Sequence, residues 1–408
     1  MISPALQSIL RDHPLAITGV GAFCGTGQSA ADLWAHARDA VCGAALEEFR
    51  WGNESWETPV HAAPPPGARL ARFPRAGKLD RTIQLAILAA DEALQQAGLD
   101  AEAAAKRTVG MVVGSSRGPR TKWMEAVERR SVFPSDAAIS TIASLTGSLG
   151  QYFSVTGPSF TVSATCASGA LAIALAAQHI LIGAADIMLV GGTDAPLHPM
   201  MIAQLRATGV LGHHPDPAQT CRPFDRTRNG LCLGEGAGFL VIESHASAAA
   251  RGAPALARLT GWSSAAENVG RAAVGAGGAT LTRTMDDAIR TAGLLPEDIS
   301  YINAHGTGTL MNDRAEAEAL VTTFGSGCPP TSSTKPVTGH CLGASPVLEA
   351  ILCIHALQQQ LVPPTANCHD PEFPIDIVTL RARPAPLQHV LSNSLGFWGK
   401  HASLVFSR

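Results

Sequence analysis

Short apolar runs alternate along this chain with longer stretches of helical periodicity. Residues 15–18 read as a strand that ends in Gly19-Val20-Gly21. Residues 80–98 read as a helix: Asp80 can cap it, Ile83, Ile87 and Leu94 fall near one face, and Gly98 stops it. Residues 109–113, 160–164, 186–190 and 239–242 read as buried strands, and an almost uncharged helix follows over 167–182. The style then repeats, with a strand at 300–304, a helix at 345–358 and a strand at 390–394 that enters Gly396. This alternation predicts an α/β protein with sheets buried on both faces. The closing run 402–406 echoes 237–241, which points to an internal duplication with two similar sheets packed around shared helices. The Ala-rich stretch after Ser244, with Gly252 and Pro254, divides the chain into halves of 1–253 and 254–408.

Composition narrows the function classes. With 408 residues, 46% of them hydrophobic, the chain can fill a large core in two units of about 200 residues each. The net charge of -3 and the absence of a basic tract argue against nucleic acid and anionic membrane as partners. The nine cysteines include no CxxC pair, which predicts reduced thiols in a cytoplasmic compartment. Arg11, Asp12 and His13 precede the first apolar run, a pattern unlike a signal peptide, and no run reads as a membrane span.

The segment 157–183, GPSFTVSATCASGALAIALAAQHILIG, carries the strongest chemical signal. A strand enters a tight turn, and Cys166 opens the helix that follows. A helix N-terminus favours a thiolate, and small neighbours let a carbonyl approach. The backbone N–H of Cys166 can contribute to an oxyanion hole. Two histidines stand apart from the fourteen in the chain. His305 ends a strand and precedes Gly306-Thr307-Gly308-Thr309; His340 follows Gly339, with Lys335 five residues earlier. Two imidazole N–H donors suit an enolate formed by loss of CO2 from a malonyl thioester. No third ligand falls at metal-binding spacing, so no metal is expected.

Six segments in chain order resemble the β-ketoacyl-acyl-carrier-protein synthases, above all their elongating type II branch. They are TGVG, GPSFTVSATCASGA, RPFDRTRNGLCLGEGAGFLVIE, NAHGTGT, SSTKPVTGH and SNSLGF. The resemblance covers nearly the whole chain. It implies a thiolase fold of two duplicated halves in a five-layered αβαβα core. It implies Cys166 as acyl acceptor, His305 and His340 as the decarboxylation and condensation pair, and Lys335 as the supporting charge. Glu316 and Glu349 would hold that network. Phe397 would be the gate residue whose N–H completes the oxyanion hole, and Thr307 and Thr309 would contact the phosphopantetheine arm. No bound cofactor is implied, since acyl carrier protein brings the substrates. The expected assembly is a homodimer, or a heterodimer with a chain-length-factor-like subunit.

Some positions depart from the family pattern. The ending GFGGTN is here Gly396-Phe397-Trp398-Gly399-Lys400-His401, so a glycine of the gating loop has become Trp398. The stretch 263–275 lacks the usual Asp-Ala-x-His run of the second gating loop, and Pro346 stands where a glycine is typical. Arg117, in Gly114-Ser115-Ser116-Arg117, occupies a position at the acyl pocket that is usually apolar. Glu125 and Glu128 are its candidate partners. Three other readings compete: a non-catalytic chain-length-factor-like subunit, which usually lacks the nucleophile; a nicotinamide dehydrogenase, resting only on Gly19, Gly21 and Gly25; and a degradative thiolase, which would want a second catalytic cysteine. The altered positions favour a specialised polyketide or polyene pathway over housekeeping fatty-acid synthesis.

Overall fold

In the computed structural model, which describes residues 10, 14–139, 141–268 and 276–408, ten strands hydrogen-bond into one continuous sheet. The first half supplies β1 (Leu15–Cys24), β2 (Val109–Gly114), β3 (Ser159–Val162), β4 (Ile187–Asp194) and β5 (Gly236–Ser244). The second half supplies β6 (Ala257–Ala266), β7 (Tyr301–Asn303), β8 (Thr331–Ser332), β9 (His389–Gly396) and β10 (Lys400–Ser407). Their order is β3-β2-β4-β5-β1, then β6-β10-β9-β7-β8. Numbered within its own half, each set of five reads 3-2-4-5-1 from its outer edge inward. Strand senses repeat too. β2 lies parallel to β3 and β4, as β7 does to β8 and β9, and the remaining pairs are antiparallel. The halves join where Leu15, Ala16 and Ile17 pair with Leu259, Arg258 and Ala257. The duplication is therefore present in the topology, but its two sheets share a ladder and are not separate.

Five helices complete the layers: α1 (Arg81–Gln96), α2 (Ser168–Leu181), α3 (Ala279–Thr291), α4 (Leu310–Phe324) and α5 (Ser345–Gln359). α1 covers β1, β5 and β4 from one side; α3 covers β6 and β10 from the other, with α4 packed against it. Between the two curved halves lie α2 and α5, which touch each other. α2 rests on β4 and β2, and α5 on β5 and β9. A helix with protein on every side must be apolar all round. α2 accordingly carries no Asp, Glu, Lys or Arg, and α5 buries all but its last positions and His355. The result is the five-layered αβαβα arrangement. No helix among the described residues is long and apolar enough to cross a membrane.

The glycines of the first strand need a different explanation from the one their spacing suggests. β1 runs through Gly19-Val20-Gly21 and does not stop there. A Cβ on Gly19 would lie 2.2 Å from the Ala93 carbonyl oxygen, and one on Gly21 would lie 2.1 Å from that of Ala89. These glycines let α1 lie directly on the strand. Gly261 of β6 meets the Ala288 carbonyl oxygen of α3 at 2.3 Å in the same way, so the device recurs in the second half. No dinucleotide loop exists here. β4 likewise continues through Gly191 and Gly192 to Asp194, beyond the end its sequence suggests.

Candidate active site

Strand ends from both halves, and the turns that lead into α2 and α5, line a shared cavity of about 410 Å³. β3 ends at Val162, and the chain turns through Thr165, whose φ is +50°, into α2. The Ser168 hydroxyl ties this turn together, donating to Thr165 O at 2.6 Å and accepting from Ala164 N–H at 2.9 Å. Cys166 lies on the turn, 7% exposed and lining the cavity. Phe397 follows the end of β9, and its N–H faces the Cys166 sulfur. This approach depends on Gly396, because a Cβ there would sit 2.1 Å from Thr165 Oγ1 and 3.1 Å from Cys166 N. Gly396 thus lets the Phe397 N–H come up to the Cys166 turn.

Burial pushes the Cys166 thiol up to about 11, even though the charges of Lys335 and Arg117 and the Phe397 N–H all pull it down. The thiolate expected from helix placement alone is therefore not the resting form. A helix terminus contributes at most a few kcal/mol, and desolvation of a fully enclosed thiol outweighs it.

His305 leaves the end of β7 and His340 precedes α5; their rings meet edge to face with centroids 5.4 Å apart. The Lys335 ammonium donates to His305 Nδ1 at 3.2 Å, to His305 O at 2.5 Å and to Glu349 Oε1 at 2.5 Å. Because an ammonium can only donate, Nδ1 of His305 accepts and Nε2 carries the proton. His340 Nδ1 lies 3.2 Å from Ser345 Oγ, and donation by that hydroxyl gives the same tautomer. Desolvation holds both imidazoles well below their ordinary range, reinforced by the Lys335 charge. Both are neutral near pH 7, each with one N–H available to the cavity.

Glu316 accepts the N–H groups of His305 and Gly306, each at 2.8 Å, and burial raises its carboxyl to about 7. It braces the His305 loop, whereas Glu349 is the partner of Lys335. Thr307 and Thr309 line the cavity, with their hydroxyls 2.9 Å apart. Arg117 and Trp398 line it as well. The Glu125 and Glu128 partners expected for Arg117 are engaged elsewhere, with Lys122 at 2.9 Å and His198 at 3.6 Å. Trp398 is 54% exposed and holds φ at +65°, a left-handed conformation natural to the glycine it replaces. In the stretch 263–275, residues up to Ala266 belong to β6, and 269–275 lie outside the described residues.

Three residues that spacing alone did not single out help build the site. Asp194, at the end of β4, accepts from Ser115 Oγ, Ser116 N, Gly343 N and Arg117 N at 2.8–2.9 Å. It binds the Arg117 turn to the turn before α5. Asp313 of α4 accepts from Thr307 N at 3.0 Å and Gly308 N at 3.2 Å. Ser345 orients His340. Among the described residues no group of three or more His, Cys, Asp or Glu is placed to hold a metal ion.

Comparison with known proteins agrees with this geometry. The model of the β-ketoacyl synthase N-terminal domain matches residues 12–248, and that of the C-terminal domain matches 256–369. The chain belongs to the β-ketoacyl synthase family and is a condensing enzyme of the acyltransferase type. It is 35% identical to Nodulation protein E of Rhizobium sp. (strain N33), over 97% of this chain and 99% of that one. It is 34% identical to 3-oxoacyl-[acyl-carrier-protein] synthase 2 of Staphylococcus aureus (strain COL), over 97% and 98%. The solved ishigamide ketosynthase/chain length factor superposes with a TM-score of 0.88 at 29% identity, over 97% of this chain and 99% of that one.

Proposed function

We propose that this chain catalyses the decarboxylative condensation of malonyl-acyl carrier protein with an acyl group held on Cys166. The observation that carries the reading is the His305–His340 pair. Two neutral imidazoles, each with Nδ1 occupied, face the cavity that also holds the Cys166 sulfur. In the first half-reaction the Cys166 sulfur attacks the carrier's acyl thioester. The carbonyl oxygen turns to the N–H groups of Cys166 and Phe397, and the pantetheine sulfur leaves as a thiol with the proton Cys166 gives up. In the second, the bond between the malonyl α-carbon and its carboxylate breaks and CO2 departs. The electron pair becomes an enolate whose oxygen accepts the N–H groups of His305 and His340. Its carbon then attacks the Cys166 thioester, leaving a β-ketoacyl chain on the carrier and expelling the sulfur as a thiolate, which takes a proton from solvent to restore the thiol. Preorganised donors of this kind act where charge develops, at no cost in reorganisation. Thr307 and Thr309, both on the cavity wall, support a contact with the pantetheine arm.

The presence of Cys166 favours a catalytic subunit over a chain-length-factor-like one. Arg117 and Trp398 support a specialised polyketide or polyene substrate in preference to long saturated fatty chains. β3 is the outer edge strand and carries Phe160, 44% exposed, so it offers an edge for pairing with a second ketosynthase or chain-length-factor-like subunit. Nine free thiols support a cytoplasmic setting. Intact-mass analysis after incubation with acyl carrier proteins tests the reading. Wild-type protein gains an acyl group and Cys166→Ala does not; acylation of the alanine variant at the wild-type rate would refute it.

A further inference from the structure

Among the described residues Arg117 is the one charged side chain on the cavity wall, and the condensation does not use it. Its backbone is fixed, because its N–H donates to Asp194 Oδ1 at 2.9 Å. That carboxylate is already occupied by the Ser115 hydroxyl and the N–H groups of Ser116 and Gly343. The guanidinium itself has no carboxylate within ion-pairing distance among the described residues, and its Nε is buried without a hydrogen-bond partner. A guanidinium stays charged at every accessible pH. Arg117 is half-buried, and a charge partly withdrawn from water is costly unless something pairs with it. The cavity that Arg117 lines also has apolar walls, among them Leu205, Val210, Leu342 and Phe397. The pocket therefore presents methylene-compatible walls and a single unanswered cation.

We infer that Arg117 is a specificity-determining residue that binds a carboxylate at the far end of the acyl chain loaded on Cys166. The assignment rests on the condensing reaction proposed above. The malonyl carboxylate is the other anion that enters the site, but it is a poor match. Holding that group would stabilise the state before CO2 loss and raise the barrier to its departure. A terminal carboxylate on the acyl chain survives the reaction, and a guanidinium can hold it through two parallel hydrogen bonds.

The test compares pantetheine thioesters of matched length, from succinyl against butyryl to suberyl against octanoyl, by the rate at which each acylates Cys166 in intact-mass time courses. Arg117 also lies within electrostatic reach of the Cys166 sulfur, so Arg117→Ile can slow all acylations together; the ratio within each pair isolates recognition. In the wild type, at one or more lengths the carboxylated chain should load about 10- to 100-fold faster than its partner, the range for one charged hydrogen-bonding partner. Arg117→Ile should abolish or invert that ratio, and Arg117→Lys should keep part of it. Equal or faster loading of the methyl-ended chain at every length, or a preference that survives Arg117→Ile, would overturn the assignment. If neither class acylates Cys166, the condensing reading falls and the assignment falls with it.

Discussion

Replacing Lys335 by methionine tests how the histidine side of the site is held together. Lys335 and Glu349 are both fully buried, and their 2.5 Å contact is the only hydrogen bond either Glu349 oxygen makes among the described residues. Methionine fills the space of the lysine stem but leaves the carboxylate enclosed and unpaired. Breaking a buried pair from one side costs about 3–5 kcal/mol, a large share of a typical domain stability of about 5–15 kcal/mol. Burial already raises the Glu349 carboxyl, and Lys335 is what restrains the rise. Without the lysine, the folded state holds Glu349 protonated while the unfolded chain releases its proton near the usual glutamate value of about 4.3. Above that value the folded state binds more protons than the unfolded one, so the stability of Lys335→Met falls as pH rises. Urea unfolding of wild type and variant should show a deficit that is larger at pH 8 than at pH 5. The double variant Lys335→Met with Glu349→Leu should recover most of it, because an apolar pair replaces an ionic one. The single variant should also release CO2 from malonyl carrier protein about 10- to 100-fold more slowly, by analogy with partners that orient metal-bound imidazoles. A deficit under about 1 kcal/mol that is independent of pH would refute the reasoning, since surface ion pairs behave in that way.

Two further outcomes follow from the site geometry. The Cys166 thiol is pushed up to about 11, so its alkylation by iodoacetamide, followed on the Cys166 peptide, should rise roughly tenfold per pH unit from 7 to 9.5; a plateau below pH 8 would contradict this. Gly396→Ala should leave the fold cooperative but cut acylation of Cys166 sharply, because the added carbon meets Thr165 Oγ1 and the Cys166 backbone and drives the Phe397 N–H away from the sulfur. Wild-type acylation rates in that variant would show that Phe397 does not complete the oxyanion hole.

The strand–turn–helix setting of Cys166 was legible in the sequence because it is local: a strand, a turn of small residues and an uncharged helix stand next to one another. His305, His340 and Lys335 were legible through flanking glycines and strand ends, and through the family resemblance. What stayed hidden is tertiary. Asp194 accepts hydrogen bonds from distant segments, whereas Asp313 and Ser345 bond to groups five or six residues before them, and a single polar residue carries no spacing signal for either. The glycines of β1 and β4 read as strand stops because turns are their usual use. Their actual role, admitting a helix or a neighbouring turn, appears only when the partner is in place. The burial that opposes a Cys166 thiolate was hidden for a related reason: helix placement is visible in a sequence, whereas complete enclosure is not. Two separate sheets became one because the joining ladder is only three residue pairs long.

In the proposed reaction His305 and His340 share the enolate while Cys166 carries the acyl chain. Release of labelled CO2 from malonyl carrier protein, measured alongside acylation of Cys166 in the same preparations, tests it most directly. His305→Ala and His340→Ala should each lower CO2 release by about 100- to 1000-fold, the cost of one donor to a developing oxyanion, while both variants still acquire an acyl group on Cys166. Undiminished CO2 release in both variants would contradict the account.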